Sequence, residues 1–180
     1  MKTIEEFKLM GSNPRRNGLG FVWLMESPKI RWNFYHPDLV PQQVSQYHNH
    51  QNSFVSDIMK GRFCNKRGKI VEGSKTIKTI DCVENNSQGF ESQVWQKNVD
   101  IQKKDVERYI TGDTYYMDAK EFHVAWAEAP TITRLEIVGR ENEPGLAMYA
   151  TSHEEVVCPI KEFRYPHDMC WDIIEAVLNA

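Results

Sequence analysis

Along TITRLEIVG, residues 131–139, one parity carries Thr131, Thr133, Leu135 and Ile137, and the other carries Ile132, Arg134, Glu136 and Val138. Side chains of an extended chain alternate between faces, so this pattern predicts a two-faced strand. Short runs of similar character, FVWLMES, KIRWNFY, QVSQYHNH, FVSDIMKGRF, KTIKTIDCV, DVERYI, DTYYM and FHVAWAE, fill the chain from Leu19 onward, with turn residues between them. Short strands at this density predict an all-β sandwich or barrel, with its barrel over about residues 19–150.

Helical spacing is clearest at the two ends. Ile4, Phe7, Leu9 and Met10 follow Thr3, with Glu6 placed for a reciprocal cap, and predict a helix over residues 3–10. Cys170, Ile173, Ile174, Val177 and Leu178 form a helical stripe behind Asp168, which is expected to cap a helix over about residues 168–178. The two flanking helices are expected to cover an open mouth or edge of the sheet. Gly73 to Asp105 is the hardest stretch to read. There ENNSQGFESQ has the composition of a loop, and VDIQKKDVERYI suits strand or helix, with strand preferred for Asp105 to Ile110.

Composition adds bounds. A chain of 180 residues suits one domain, residues 1–180, able to bury roughly 70% of its unfolded surface without cross-links. The net charge of -3 provides no general attraction to nucleic acid or anionic lipid, so no nucleic-acid or membrane partner is expected. Apolar runs fall far short of a bilayer span, and MKTIEEFKLM lacks the apolar stretch of a secretory signal, so a cytoplasmic location is expected. Cys64, Cys82, Cys158 and Cys170 form no C-x-x-C pair, and reduced, packed thiols are expected.

The candidate chemistry lies in YHNHQNSFVSDIMKGRF, residues 47–63. On a strand His48 and His50 project to one face and can reach one centre. His123 stands far along the chain in GDTYYMDAKEFHVAW. Three neutral imidazoles meeting at a point suit a first-row divalent ion, with open positions for water, substrate or dioxygen. His36, His153 and His167 have no comparable setting and read as surface histidines.

Taken together the two stretches resemble the cupin superfamily, whose motifs run G-x5-H-x-H-x3,4-E-x6-G and G-x5-P-x-G-x2-H-x3-N. His48, His50 and Gly61 match the first, and Gly112 and His123 match the second. The resemblance implies a cupin double-stranded β-helix, or jelly-roll barrel. Phe54 stands where the cupin glutamate usually sits, Gln42 replaces the leading glycine, and Asp118, Lys120 and Ala127 replace the second motif's Pro, Gly and Asn.

A three-histidine cupin without the glutamate is similar to the cysteine (thiol) dioxygenase branch. That resemblance implies Fe(II) held by His48, His50 and His123 in a non-haem oxygenase acting on a small molecule, with thiols as one substrate class. It also implies pairing through sheet edges into a homodimer. The alternatives are a cupin that binds or sequesters a small ligand without turnover, and a cupin-type sugar isomerase or epimerase. Around the ion, Phe54 is expected to exclude water, Arg31 or Arg62 to pair with a carboxylate or phosphate, and Tyr47, Tyr115 or Tyr116, with Tyr116 taken as the candidate, to donate a hydroxyl.

Overall fold

A computed structural model describes residues 1–17, 19–40, 47–85, 89–140, 146–149 and 167–180. Helix α1 (Ile4–Lys8) opens the chain and is followed by strands β1 (Arg15–Asn17), β2 (Phe21–Ser27), β3 (Ile30–Tyr35), β4 (Tyr47–His48) and β5 (Asn52–Lys60). Next come β6 (Arg62–Asn85), β7 (Gly89–Ile110), β8 (Thr114–Met117), β9 (Phe122–Ala127), β10 (Thr131–Arg140), β11 (Leu146–Tyr149) and helix α2 (His167–Asn179). The all-β character expected from the alternating pattern is thus present, with a helix at each end.

The strands form two antiparallel sheets, one ordered β1-β2-β3-β10-β5-β8 and the other β11-β4-β9-β6-β7. Their connectivity follows one rule. β6 pairs with β7, β5 with β8, β4 with β9 and β3 with β10, so the chain folds back on itself as one nested ribbon. Successive pairs of that ribbon alternate between the two sheets. Residues far apart in the chain therefore lie side by side within each sheet.

Strand β3 shows how the sequence builds this arrangement. Trp32 and Phe34 project to the outer face of the six-stranded sheet and join a buried cluster with Phe7, Ile173, Ile174 and Val177 from the helices. Phe7 meets Trp32 and Phe34 edge to face, with ring centroids 5.1 and 5.2 Å apart. Fully burying an aliphatic or aromatic side chain of this size contributes roughly 1.5–3 kcal/mol. The opposite parity, Arg31, Asn33 and Tyr35, points between the sheets. There Tyr35 packs with Phe21, Phe54, Ile58, Phe63, Tyr115, Met117 and Leu135 in a second cluster.

Several expectations are corrected. The helices cover the outer face of the six-stranded sheet, with α2 against β1, β2 and β3, rather than a mouth or an edge. α1 is shorter than residues 3–10: the Thr3–Glu6 capping box starts it, and it stops at Lys8 ahead of Gly11, whose φ is +73°. α2 begins at His167, so Asp168 falls inside the helix and not at its cap. FVSDIMKGRF is two strands, parted at Gly61 (φ +90°), where the chain passes from one sheet to the other. Within ENNSQGFESQ, Glu84 and Asn85 belong to β6 and Gly89 to Gln93 to β7, while residues 86–88 lie outside the described part. Pairing along the β6–β7 ribbon overrides the loop-like composition, because cross-strand partners decide strand formation more than intrinsic preference does.

Cys64 and Cys170 are buried free thiols. Cys158 and the Cys82 side chain lie outside the described residues, as does the start of QVSQYHNH. Among the described residues no helix is long and apolar enough to cross a membrane.

Candidate metal centre

His48 and His123 are direct partners across the β4–β9 pairing. Both are buried and both face the space between the sheets, with ring centroids 4.7 Å apart. His50 reaches the same point by a different route. β4 ends at His48, so strand alternation does not place His50; instead its backbone N–H donates to Ala119 O at 3.0 Å. Ala119 N–H in turn donates to the buried Ser53 hydroxyl at 3.0 Å, which fixes the turn before β9 against the start of β5.

The three imidazoles each offer a nitrogen, and these atoms lie within 4.8 Å of one another. His50 Nε2 and His123 Nε2 are 2.7 Å apart. Two ligands at right angles on one ion, with bonds of about 2.0–2.1 Å, stand about 2.9 Å apart, so this pair fits a shared metal. Burial is the main cause that pushes His50 and His123 well below the ordinary imidazole pKa. The neighbouring imidazoles act in the same direction, as do Arg31 on His50 and Arg67 on His123. Neutral imidazoles keep a lone pair for a cation, and the residues present therefore suit a first-row divalent ion. His36 stands apart from the cluster, His153 lies outside the described residues, and of His167 only the backbone is described.

Next to the imidazoles is a cavity of about 120 Å³ between the two sheets. Phe54 closes one side, its ring edge-on to His50 at 4.9 Å. Phe21, Phe63 and Tyr115 complete an aromatic wall, and Arg31, Asn33 and Tyr35 enter from β3. Among the described lining residues there is no carboxylate. Arg31 has a buried Nε without a hydrogen-bond partner, and burial lowers its pKa. Its guanidinium carbon lies 5.7 Å from the centre of the Phe21 ring.

The structure does not bring Arg62 or Tyr116 to this cavity. Arg62 is exposed at the start of β6, and Tyr116 is 48% exposed on β8, whose burial alternates so that Tyr115 and Met117 point inward. Of the two adjacent tyrosines on β8, the one at the cavity, alongside Tyr35 from β3, is therefore Tyr115, whose hydroxyl pKa is pushed up to about 12, chiefly by burial.

A second set of polar groups lies behind His123. His123 Nδ1 is 2.7 Å from Oδ1 of Asn65, a residue with no exposed surface. Asn65 Nδ2 faces Glu107 Oε2 at 3.4 Å, and Glu107 accepts from Arg67 Nε at 2.9 Å and from the Tyr109 hydroxyl at 2.8 Å. Arg67 also pairs with Glu121 and donates to Tyr116 O at 2.9 Å, which ties the two sheets together. No motif spacing marks these residues. The available signal is parity: Asn65 shares a face of β6 with the buried Phe63, and a polar side chain on an inward face must find partners.

A scan of protein-family models finds no match to the chain, and a search of curated proteins finds none.

Proposed function

We propose that the protein is a metal-dependent oxygenase of cupin type, using Fe(II) and acting on a small anionic molecule, a thiol acid being the first to test. The observation that carries this reading is the convergence of His48, His50 and His123 at the wall of an aromatic-lined cavity. The nested pairing β3–β10, β4–β9, β5–β8 and β6–β7 supports a jelly-roll barrel of the cupin kind.

Fe(II) in this site supplies the redox chemistry by which dioxygen is made to react with a bound organic molecule. The chain's own part is binding, orientation and exclusion of water. His48, His50 and His123 hold the ion as neutral donors. Phe54, in place of an acidic ligand, keeps the total charge of the site positive and shuts out solvent on its side. Arg31 receives the carboxylate of the substrate through its guanidinium fork, the natural complement of a half-buried cation with an unpartnered Nε and no carboxylate among the described lining residues. A sugar isomerase needs a side-chain base close to the substrate, and the described lining has no carboxylate to serve as one.

The test is metal content and oxygen uptake on anaerobically purified protein. About one Fe(II) per chain is expected, with oxygen consumed in the presence of cysteine and less with cysteamine, which lacks the carboxylate. His50→Ala is expected to lose both iron and uptake. Unchanged iron in that variant removes the metal centre, and full iron without oxygen uptake leaves a ligand-sequestering protein instead of an enzyme.

A further inference from the structure

The polar groups behind His123 determine which of its nitrogens can bind a metal. Glu107 is held from several sides. Burial raises its pKa, but hydrogen bonds from Arg67 and Tyr109 outweigh this and leave it below the ordinary carboxylate value. An ionised carboxylate only accepts hydrogen bonds, so the end of the Asn65 amide that faces Glu107 is its NH2 group. The end that faces His123 is then the carbonyl oxygen, which also only accepts. His123 Nδ1 must therefore carry the proton, and a neutral imidazole has only one. Its Nε2 is left with a lone pair, turned toward His50 Nε2 at 2.7 Å.

We infer that Asn65, oriented by the Glu107–Arg67 pair, is a positioning residue that fixes His123 as its Nδ1–H tautomer and so presents Nε2 as a metal ligand. The inference rests on the metal-centre reading above. Its physical content is a sequence of forced choices: a guanidinium fixes a carboxylate, the carboxylate fixes an amide, and the amide fixes a tautomer. Partners of this kind behind a ligating histidine typically change metal affinity by about 10–100-fold when removed.

The experiment reads the tautomer directly, by nitrogen-15 NMR of histidine-labelled, metal-free protein, together with Co(II) affinity by chelator competition. Wild-type protein is expected to show His123 protonated on Nδ1. Glu107→Ala removes the acceptor shared by Asn65 and Arg67 and leaves Arg67, a donor only, toward which the Asn65 oxygen is expected to turn. His123 then shifts to the Nε2–H form, and Co(II) affinity falls by about 10–100-fold. Glu107→Gln keeps an acceptor oxygen in place and is expected to retain the tautomer and the affinity. Glu107 does not touch the imidazoles, so a purely structural role would leave the His123 signals unmoved. Asn65→Leu, with its fold checked by circular dichroism, is expected to lose affinity in the same range. An Nε2–H tautomer in the wild type overturns the inference. So does a Glu107→Ala variant with unchanged tautomer and affinity, or a Gln variant as impaired as the Ala one. The tautomer needs no metal: wild-type protein with the expected tautomer but no Co(II) binding counts against the metal centre instead.

Discussion

Arg31 is the residue at which the fold and the proposed function pull in opposite directions. Arg31 is half-buried between two sheets with an unpartnered Nε, and no carboxylate stands among the described residues that line the cavity beside it. The Phe21 face offsets the cost of lost hydration by about 0.5–2 kcal/mol at most. Taking a charge out of water is costly, and replacing buried ionic groups with well-packed apolar side chains of similar volume is often neutral or stabilising, by up to about 1–4 kcal/mol. Arg31→Met is therefore expected to raise the urea midpoint of the ligand-free protein while abolishing any thermal shift caused by small carboxylates. A less stable Arg31→Met variant would show that the arginine serves the fold. At this scale the sequence was partly legible. His48, His50 and His123 stand out by spacing, and Arg31 shares parity with Asn33 and Tyr35. Nothing in the sequence alone says which parity of β3 faces inward, or which of Tyr115 and Tyr116 does so on β8. Asn65 and Glu107 stayed hidden because their link exists only once β6 and β7 pair, 42 residues apart in the chain.

At the scale of elements, two glycines turn the ribbon, and their surroundings separate two costs. Gly61 has φ +90°, and a Cβ there would lie 2.4 Å from both Pro130 O and Thr131 Oγ1. Gly112 has φ +97°, but a Cβ there would meet nothing within 4 Å. Gly112→Ala therefore carries only the left-handed backbone cost of about 1–2 kcal/mol. Gly61→Ala adds a backbone clash and is expected to lose about 2–5 kcal/mol in total, because Thr131 Oγ1 is also fixed by its bonds to Arg62 N and Ala129 O. Urea denaturation of both variants checks the order, and equal losses would mean that the β5–β6 corner opens without strain. Both glycines belong to the motif spacing, so their positions were legible while the clash at Gly61 was not. Strand lengths were the least legible feature. The β6–β7 ribbon extends through ENNSQGFESQ on cross-strand pairing, a non-local property that composition cannot report.

For the whole molecule, nesting strands from β3 to β10 brings a pair near residue 49 against a histidine 73 positions away, so the site exists only in the folded state. That makes stability depend on pH in a definite direction. An unfolded imidazole titrates near pH 6.5. In the native metal-free protein burial holds His50 and His123 well below that value, so they stay neutral. Well above pH 6.5 neither state binds a proton at these positions, and their contribution is fully present. As pH falls from 6.5 toward the depressed native values, the unfolded chain takes up protons that the native protein refuses, and stability is lost. The loss is up to about 1.4 kcal/mol per pH unit for each imidazole, hence up to about 2.7 for the two. Carboxylates elsewhere add a background, which a His50→Gln, His123→Gln double variant shares. Urea unfolding of the metal-free proteins between pH 7 and 5 is therefore expected to show a steeper fall for the wild type than for the double variant. Parallel curves would mean that the native imidazoles accept protons as freely as unfolded ones and that their setting between the two sheets does not hold them neutral.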